Sequence, residues 1–304
     1  MQIKDLKVIP DCDLCGSKLF HLFSQVQDRN YLTGYFSYVQ CNKCKLVWLN
    51  PRPKPNVLHA YYPRAYPAYQ KPQKTHSEQT TFRYFLKKYL WLAKLFIKDD
   101  LYYKNPKGKL LDIGCGSGNY LEILNSWGWQ AEGVEISKQA AAAGRNNGLR
   151  IKQGTLFSVK YAKNSFDVIR FSHALEHVPS PRLELLETKR ILKKFGFVKI
   201  FVPNIDSLTF RIFRSYWYLY ETPRHFYQFT PETLTTLLLK TGFINITIKY
   251  HQSPNTIWWS LKYLFGKTRV DTKMGFLRHP LGWILKPVGL LKFADVIEAT
   301  AKKG

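Results

Sequence analysis

Three groups of residues in this chain have the types and spacing to do chemistry. The first is Leu110-Leu111-Asp112-Ile113-Gly114-Cys115-Gly116-Ser117-Gly118. An apolar run ends in an acid and then in glycines at 114, 116 and 118. Without Cβ atoms such a loop can turn sharply and let a ligand approach the backbone. A second acid, Glu135, closes the next apolar run, where a carboxylate can accept hydrogen bonds from both hydroxyls of a ribose. The second group is two Cys-x-x-Cys pairs, Cys12/Cys15 and Cys41/Cys44. Each pair aims two thiolates at one point, and together they complete a tetrahedral zinc site; two redox pairs are the alternative. The third group is His173-Ala174-Leu175-Glu176-His177, after an apolar strand, with His225 in Pro223-Arg224-His225-Phe226. A histidine of near-neutral pKa can take a proton from a hydroxyl, an amine or an acidic carbon. On a helical turn His173 lies alongside Glu176 and His177; for those two, packing or capping is the favoured reading and catalysis the alternative.

The glycine spacing chooses between ligands. A dinucleotide needs G-x-G-x-x-G, with the pyrophosphate on a helix N-terminus. Its third glycine would fall at Asn119. The G-x-G-x-G here, with an acid two residues ahead, disfavours a pyrophosphate. It suits a ligand with a cationic end, such as the ammonium and sulfonium of S-adenosylmethionine (SAM). Four thiolates leave a zinc ion no open position, so that site is expected to be structural.

The elements that must position these groups alternate. Strands are expected at 109–113, 130–135, near 149–153, at Phe166–Phe171 and at Phe197–Val202. A helix with alanines at 140–143 follows the second strand, and another opens at Pro181 and closes at Gly196. Thr230-Pro231-Glu232 starts a helix that Gly242 stops; Phe243–Tyr250 and Asp295–Ala301 are the last strands. The fold class is therefore α/β, a Rossmann-like sheet of seven strands behind a small zinc-ribbon module. Catalytic groups in such sheets gather at the carboxyl ends of strands. The expected domains are a zinc-ribbon-like module at 1–55, a connector with an amphipathic helix over 80–98 at 56–105, and a ligand-binding domain at 106–252. A basic aromatic insertion at 253–293 and a final strand at 294–304 complete the chain.

Asp112 to Gly118 resembles motif I of class I SAM-dependent methyltransferases. The likeness continues through Ser165–Ile169, His173–Pro179, Arg190–Lys193 and Gly196–Asn204, segments similar to those of the ubiquinone/menaquinone-biosynthesis type. It implies SAM contacts at Asp112, Gly114, Cys115, Gly116, Gly118, Glu135, Ile136, Thr155, Leu156 and Ser172. Thr155 stands where chains of this type usually carry an acid for the adenine amino group. It further implies catalytic candidates His173, His225, His177 and Glu176. The four-cysteine module ending in Asn50-Pro51-Arg52-Pro53 is similar to modules preceding methyltransferases of sugars and surface polysaccharides.

Charge and aromatic content bear on the partners. The 304 residues carry 46 basic and 21 acidic side chains, a formal net charge of +25, and 15% are aromatic. Such an excess attracts anions: nucleic acid, phosphorylated substrates or an acidic lipid surface. Between Asp206 and Phe229 stand nine aromatic residues interleaved with Arg211, Arg214, Arg224 and His225. They are expected to form a lid over the acceptor pocket, with Arg224 and His225 facing an anionic acceptor; a partner-binding patch is the alternative. Residues 253–292 hold seven Lys/Arg against Asp271 alone and six Trp, Tyr and Phe, which suits the interface of an anionic membrane. A dimer contact or a cap over the site is the alternative. No uncharged apolar run approaches the ~18 residues that span a bilayer, so the expected location is cytoplasmic, at the inner face of the membrane. The leading expectation is methylation of a small or lipid-linked anionic acceptor, a sugar or surface-polysaccharide precursor. The rivals are RNA methylation, quinone or lipid methylation, and a catalytically silent SAM-binding protein. The basic residues are mixed into apolar helices rather than set in a polar stripe, which weighs against RNA.

Overall fold

The structure, a computed structural model, describes residues 5–29, 34–55, 57–62, 108–266 and 293–304. The helix expected over 80–98, and Phe276 and Trp283 of the basic insertion, lie outside the described residues. The chain gathers into two compact units. One comprises Met1–Pro63, Phe171–Arg190 and Phe197–Gly304, the other Arg64–Arg170 and Ile191–Gly196.

The N-terminal segment is all β. Strand β1 (Leu6–Lys7), β2 (Phe20–Gln27), β3 (Tyr35–Cys41), β4 (Val47–Leu49) and β5 (Arg52–Pro53) follow in order, β1 pairing with β5 and β2–β3–β4 forming an antiparallel meander. In β3 burial alternates from Tyr35, exposed, through Phe36 and Tyr38, buried, and the alternation ends at Val39, which is buried as well.

The alternating part runs β6 (Lys109–Ile113), α1 (Asn119–Ser126), β7 (Gln130–Glu135), α2 (Lys138–Asn146), β8 (Ile151–Gln153), α3 (Leu156–Val159) and β9 (Phe166–Ser172). Then come α4 (Pro181–Ile191), β10 (Leu192–Pro203), α5 (Leu208–Phe213), β11 (Tyr227–Gln228), α6 (Pro231–Lys240), β12 (Phe243–His251), α7 (Pro254–Leu264) and β13 (Val296–Lys303). The seven-stranded sheet has the order β12-β13-β10-β9-β6-β7-β8. Strands β6, β7 and β8 pair in parallel, and β13 enters antiparallel between β10 and β12. The continuous apolar runs suit strands covered on both faces: Leu110, Leu111, Ile169, Val198, Ile200 and Val202 are completely buried.

Two expectations about elements need correction. Gly196 does not close a helix. Helix α4 stops at Ile191 and β10 begins at once, so Gly196 lies within the strand. A Cβ there would stand 3.0 Å from the backbone oxygens of Asp167 and Lys193, so close strand approach is what demands glycine. The aromatic segment 206–229 is not a free-standing lid. It folds into α5, two short 3-10 turns and β11, and β11 pairs antiparallel with β4, setting Tyr227 opposite Trp48. Trp217, Tyr220, Phe226, Tyr227 and Phe229 are at most 3% exposed. Their apolar area is removed from water against the N-terminal meander, a gain of about 1.5–3 kcal/mol per large side chain.

Candidate active site and metal centre

The glycine loop connects β6 to α1. Gly114, Gly116 and Gly118 all have positive φ, 70°, 58° and 85°. Gly118 is also the residue before the first turn of α1, where a Cβ would lie 2.5 Å from Leu149 Cδ1. On β7, a Cβ at Gly133 would meet Cys115 Sγ at 2.3 Å, so this glycine makes the room in which Cys115 sits. Burial beside Asp112 and Glu135 pushes the Cys115 thiol well up, which keeps it protonated.

The two acids behave differently. Glu135 is 6% exposed and closes the loop: Oε2 accepts from Gly116 N at 2.9 Å and Oε1 from Ser137 N at 2.7 Å. Burial raises its pKa, and these two N–H groups pull it back. A carboxylate offers about four lone-pair directions, so each oxygen keeps acceptor capacity for the hydroxyls of a ribose. Asp112, expected beside the cationic end of a ligand, is paired within the chain: Arg170 Nη1 donates to its Oδ1 at 2.9 Å, and the Arg170 guanidinium lies 4.0 Å over the Tyr120 ring. An isolated carboxylate at 2% exposure would lose too much hydration. Both acids at this loop are thus held in place by the chain, Asp112 by a guanidinium and Glu135 by backbone N–H groups.

Thr155 caps α3, its hydroxyl accepting from Ser158 N at 3.1 Å, and the Leu156 side chain is core. Ile136, after Glu135, is 64% exposed and Phe157 is 48% exposed, two apolar surfaces at the ends of successive strand–helix turns. Ser172 is the last residue of β9. The donor set of this loop thus fits SAM by one test on the structure, a buried carboxylate with spare acceptor sites beside exposed glycine backbone at Gly114.

The histidines converge. His173 follows β9 with φ +52°, a left-handed conformation rare for a non-glycine residue and found at functional sites. Its Nδ1 lies 3.3 Å from Glu176 Oε1. Glu176 is completely buried and neither of its oxygens has a hydrogen-bond donor, an expensive state for a carboxylate. His225 Nε2 stands 3.9 Å from Glu176 Oε1 and 3.8 Å from Glu221 Oε2. Burial, reinforced by His177 and His173, holds the His225 pKa well below the ordinary histidine value, so it is neutral. Its Nδ1 is 2.9 Å from Leu219 O, which fixes the proton there and leaves the Nε2 lone pair facing the carboxylates. His177 Nδ1 lies 3.0 Å from Arg224 O and 3.1 Å from Tyr62 Oη, and its ring meets that of His225 edge-on at 4.5 Å. Burial lowers its pKa, with Glu176 opposing. Glu176, His177 and His225 each offer a ligand atom within 4.8 Å of the others, a grouping that could also hold a metal ion. Arg224, expected to face an anionic acceptor, is 1% exposed and donates to Tyr61 O at 3.3 Å.

The four early cysteines also converge, within 4.8 Å of one another, with Sγ–Sγ distances of 3.4 Å for Cys12–Cys44 and 3.5 Å for Cys15–Cys41. Both pairs adopt the same knuckle. Gly16 N donates to Cys12 O and Lys45 N to Cys41 O, and both Gly16 and Lys45 have positive φ, 70° and 64°. All four are free thiols. Burial drives Cys12 far up and Cys44 up to about 11, while N–H groups of Cys44 and Lys43 overcome burial and bring Cys41 down to about 7. Tetrahedral ligation at ~2.3 Å needs S–S edges of roughly 3.8 Å, a few tenths more than is seen.

Sequence reasoning missed three contributors. Arg170 was legible as a charge interrupting the apolar run of β9. Tyr62 stood out only as part of a tyrosine- and proline-rich connector, and Glu221 carried no signal, because only folding brings them to His177 and His225.

A family model described as a methyltransferase domain matches residues 83–248. Among curated proteins, an uncharacterised protein of Methanocaldococcus jannaschii is 26% identical over 40% of this chain and 62% of its own length. A ubiquinone biosynthesis O-methyltransferase of Idiomarina loihiensis is 33% identical over 32% of this chain and 42% of its own. The chain thus spans less than two thirds of these relatives. Among solved structures, phosphoethanolamine N-methyltransferase 2 of Haemonchus contortus, in complex with SAM, superposes over 93% of this chain and 68% of its own at TM-score 0.50 and 17% identity, a likeness of fold. Because the family match covers more than half of the chain, and the sheet and glycine loop carry the same pattern, this protein belongs to the class I SAM-dependent methyltransferase family.

Proposed function

We propose that this chain transfers a methyl group from SAM to an acceptor that must lose a proton, and that His173, Glu176 and His225 handle that proton. The observation that carries this reading is Glu176: a fully buried carboxylate without a donor on either oxygen, with His173 Nδ1 at 3.3 Å and the neutral His225 Nε2 at 3.9 Å. With Nδ1 of His173 turned to Glu176, its other ring nitrogen is left to meet a hydroxyl or amine of the acceptor. His173, 45% exposed, is the group that reaches solvent and takes the proton; Glu176 orients its ring and stabilises the imidazolium that results. When bound, SAM supplies an electrophilic methyl on sulfur. Glu135 and the backbone of Gly114–Gly118 would hold its nucleoside.

For the acceptor, the reading is a small or lipid-linked anionic molecule, a sugar or surface-polysaccharide precursor, supported by the net charge of +25 and by the N-terminal module. A quinone-type phenol is the second reading, supported by the 33% identity to a ubiquinone biosynthesis O-methyltransferase. Cys12, Cys15, Cys41 and Cys44 hold a structural zinc ion in this proposal, supported by the paired knuckles.

The test is release of S-adenosylhomocysteine with nucleotide-linked sugars, lipid phosphates, phenols and RNA as acceptors. The sugar or lipid class should turn over. Glu176→Gln and His173→Asn should each lower kcat roughly 100- to 10,000-fold with SAM affinity unchanged, and excess EDTA should leave the rate intact. Turnover only with RNA, or full activity in both variants, would overturn the respective part of the proposal.

A further inference from the structure

A second surface of the same unit has no place in the methyl-transfer scheme. Helices α5 and α7 pack on each other, and Phe293, whose carbonyl accepts from Leu208 N at 2.8 Å, stands beside them. Both helices bury one side: Phe210 and Phe213 on α5, Trp259, Ser260 and Tyr263 on α7. Yet they are apolar on the other side as well. Leu208 (47% exposed), Ile212 (63%), Leu261 (36%), Leu264 (50%), Phe265 (75%) and Phe293 (44%) all face solvent. The spacing is helical: 208 and 212 are one turn apart, and 261, 264 and 265 follow at i, i+3 and i+4. Single exposed apolar residues need no explanation, but four on two packed helices, with Phe265 and Phe293 beside them, do.

Cations border this apolar face. Arg211 lies 4.9 Å over the Phe293 ring and Lys262 4.9 Å over Trp258, so their stems cover apolar surface while their charges reach outward. Helix α7 contains no acidic residue; on the α5 side Asp206 pairs with Arg211 at 2.7 Å, and the buried Asp295 accepts from Thr209. The sequence between Gly266 and Phe293, outside the described residues, carries Lys267, Arg269, Lys273, Arg278, Lys286 and Lys292 against Asp271. Among the described residues no helix is long and apolar enough to cross a membrane. An apolar face ringed by positive charge on short helices matches the interface of an anionic bilayer, where side chains enter the acyl boundary and Lys/Arg meet lipid phosphates.

We propose that the α5–α7 face docks on an anionic lipid membrane, with Ile212, Leu264 and Phe265 inserting and Arg211 and Lys262 contacting headgroups. The inference stands apart from the methyl-transfer reading, since it uses none of the residues assigned there.

The experiment is co-sedimentation of the full chain with vesicles of phosphatidylcholine alone or with about one third phosphatidylglycerol. Anionic vesicles should raise the partition coefficient at least tenfold at 0.1 M salt, with most of the gain lost at 0.5 M. The triple variant Ile212→Ser/Leu264→Ser/Phe265→Ser, whose side chains are exposed in the folded chain, should lose the gain while keeping its melting temperature. Lys262→Glu should weaken it severalfold. Equal recovery from both vesicles overturns the proposal. So does anionic binding that the triple variant leaves intact, which would place the contact elsewhere in the basic segment. Concentration-dependent dimers abolished by the triple variant, without vesicle binding, would assign the face to a second copy of the chain and also overturn it.

Discussion

Replacing Glu135 by Gln tests the central claim about the glycine loop, because the side chain keeps its shape while its charge and one acceptor are removed. In the folded chain Glu135 receives Gly116 N at 2.9 Å and Ser137 N at 2.7 Å. A hydrogen bond to a charged group contributes about 1.5–3 kcal/mol. Glutamine can accept from one of these N–H groups and turns its own NH2 against the other. The expected loss of stability is therefore about 2 kcal/mol. The hydroxyls of a bound nucleoside would lose a charged acceptor as well, about 1.5–3 kcal/mol, or roughly a 10- to 150-fold weaker Kd. Calorimetric titration with SAM and with S-adenosylhomocysteine reads the second number, and urea unfolding reads the first. Asp112→Asn is the contrasting variant. Asparagine keeps an acceptor for Arg170 but removes its counter-charge, so weakening this charged hydrogen bond, with Arg170 at 11% exposure, costs about 1.5–3 kcal/mol of stability. Affinity within about twofold of the parent for Glu135→Gln would refute the assignment of the loop. So would tight NAD binding in place of SAM.

Three other outcomes follow from the geometry. The purified chain should carry one equivalent of zinc by elemental analysis, and Cys41→Ser or excess chelator should lower the melting temperature and perturb the fluorescence of Trp48, buried in β4; a metal-free chain of unchanged stability would refute the site. Glu184, 5% exposed, has its pKa pushed up from 4.5 to about 7 by burial and by Glu187. Between those pH values the folded chain keeps a proton that the unfolded chain has released, so this residue lowers stability as pH rises from about 4.5 to 7, by about 3 kcal/mol in all. Glu184→Gln should therefore stabilise the protein at pH 8 and have little effect at pH 4.5, as compared by urea unfolding; equal effects at the two pH values would refute it. Gly133→Ala would drive a methyl group into Cys115 Sγ, so it should destabilise by about 1–3 kcal/mol, and adding Cys115→Ala should recover much of the loss, as a double-mutant cycle will show.

What the sequence determined by itself was local. The strand, glycine loop, helix and second strand from Lys109 to Glu135 stand where their residues predict, because positive φ, a glycine before a helix and an apolar run are demands met within a few consecutive positions. The two cysteine knuckles and the Thr230 cap of α6 were legible for the same reason. The tertiary structure alone decided which distant groups meet. Strand order sets Arg170 against Asp112, 58 positions away, and so pairs that acid within the chain. The insertion of β13 beside β10 brings Glu298 to Lys199, both almost fully buried. Pairing of β11 with β4 turns an aromatic stretch with the composition of a lid into core, and it carries His225 to Glu176. Composition states how much apolar area a segment has to bury; it does not name the surface that will cover it.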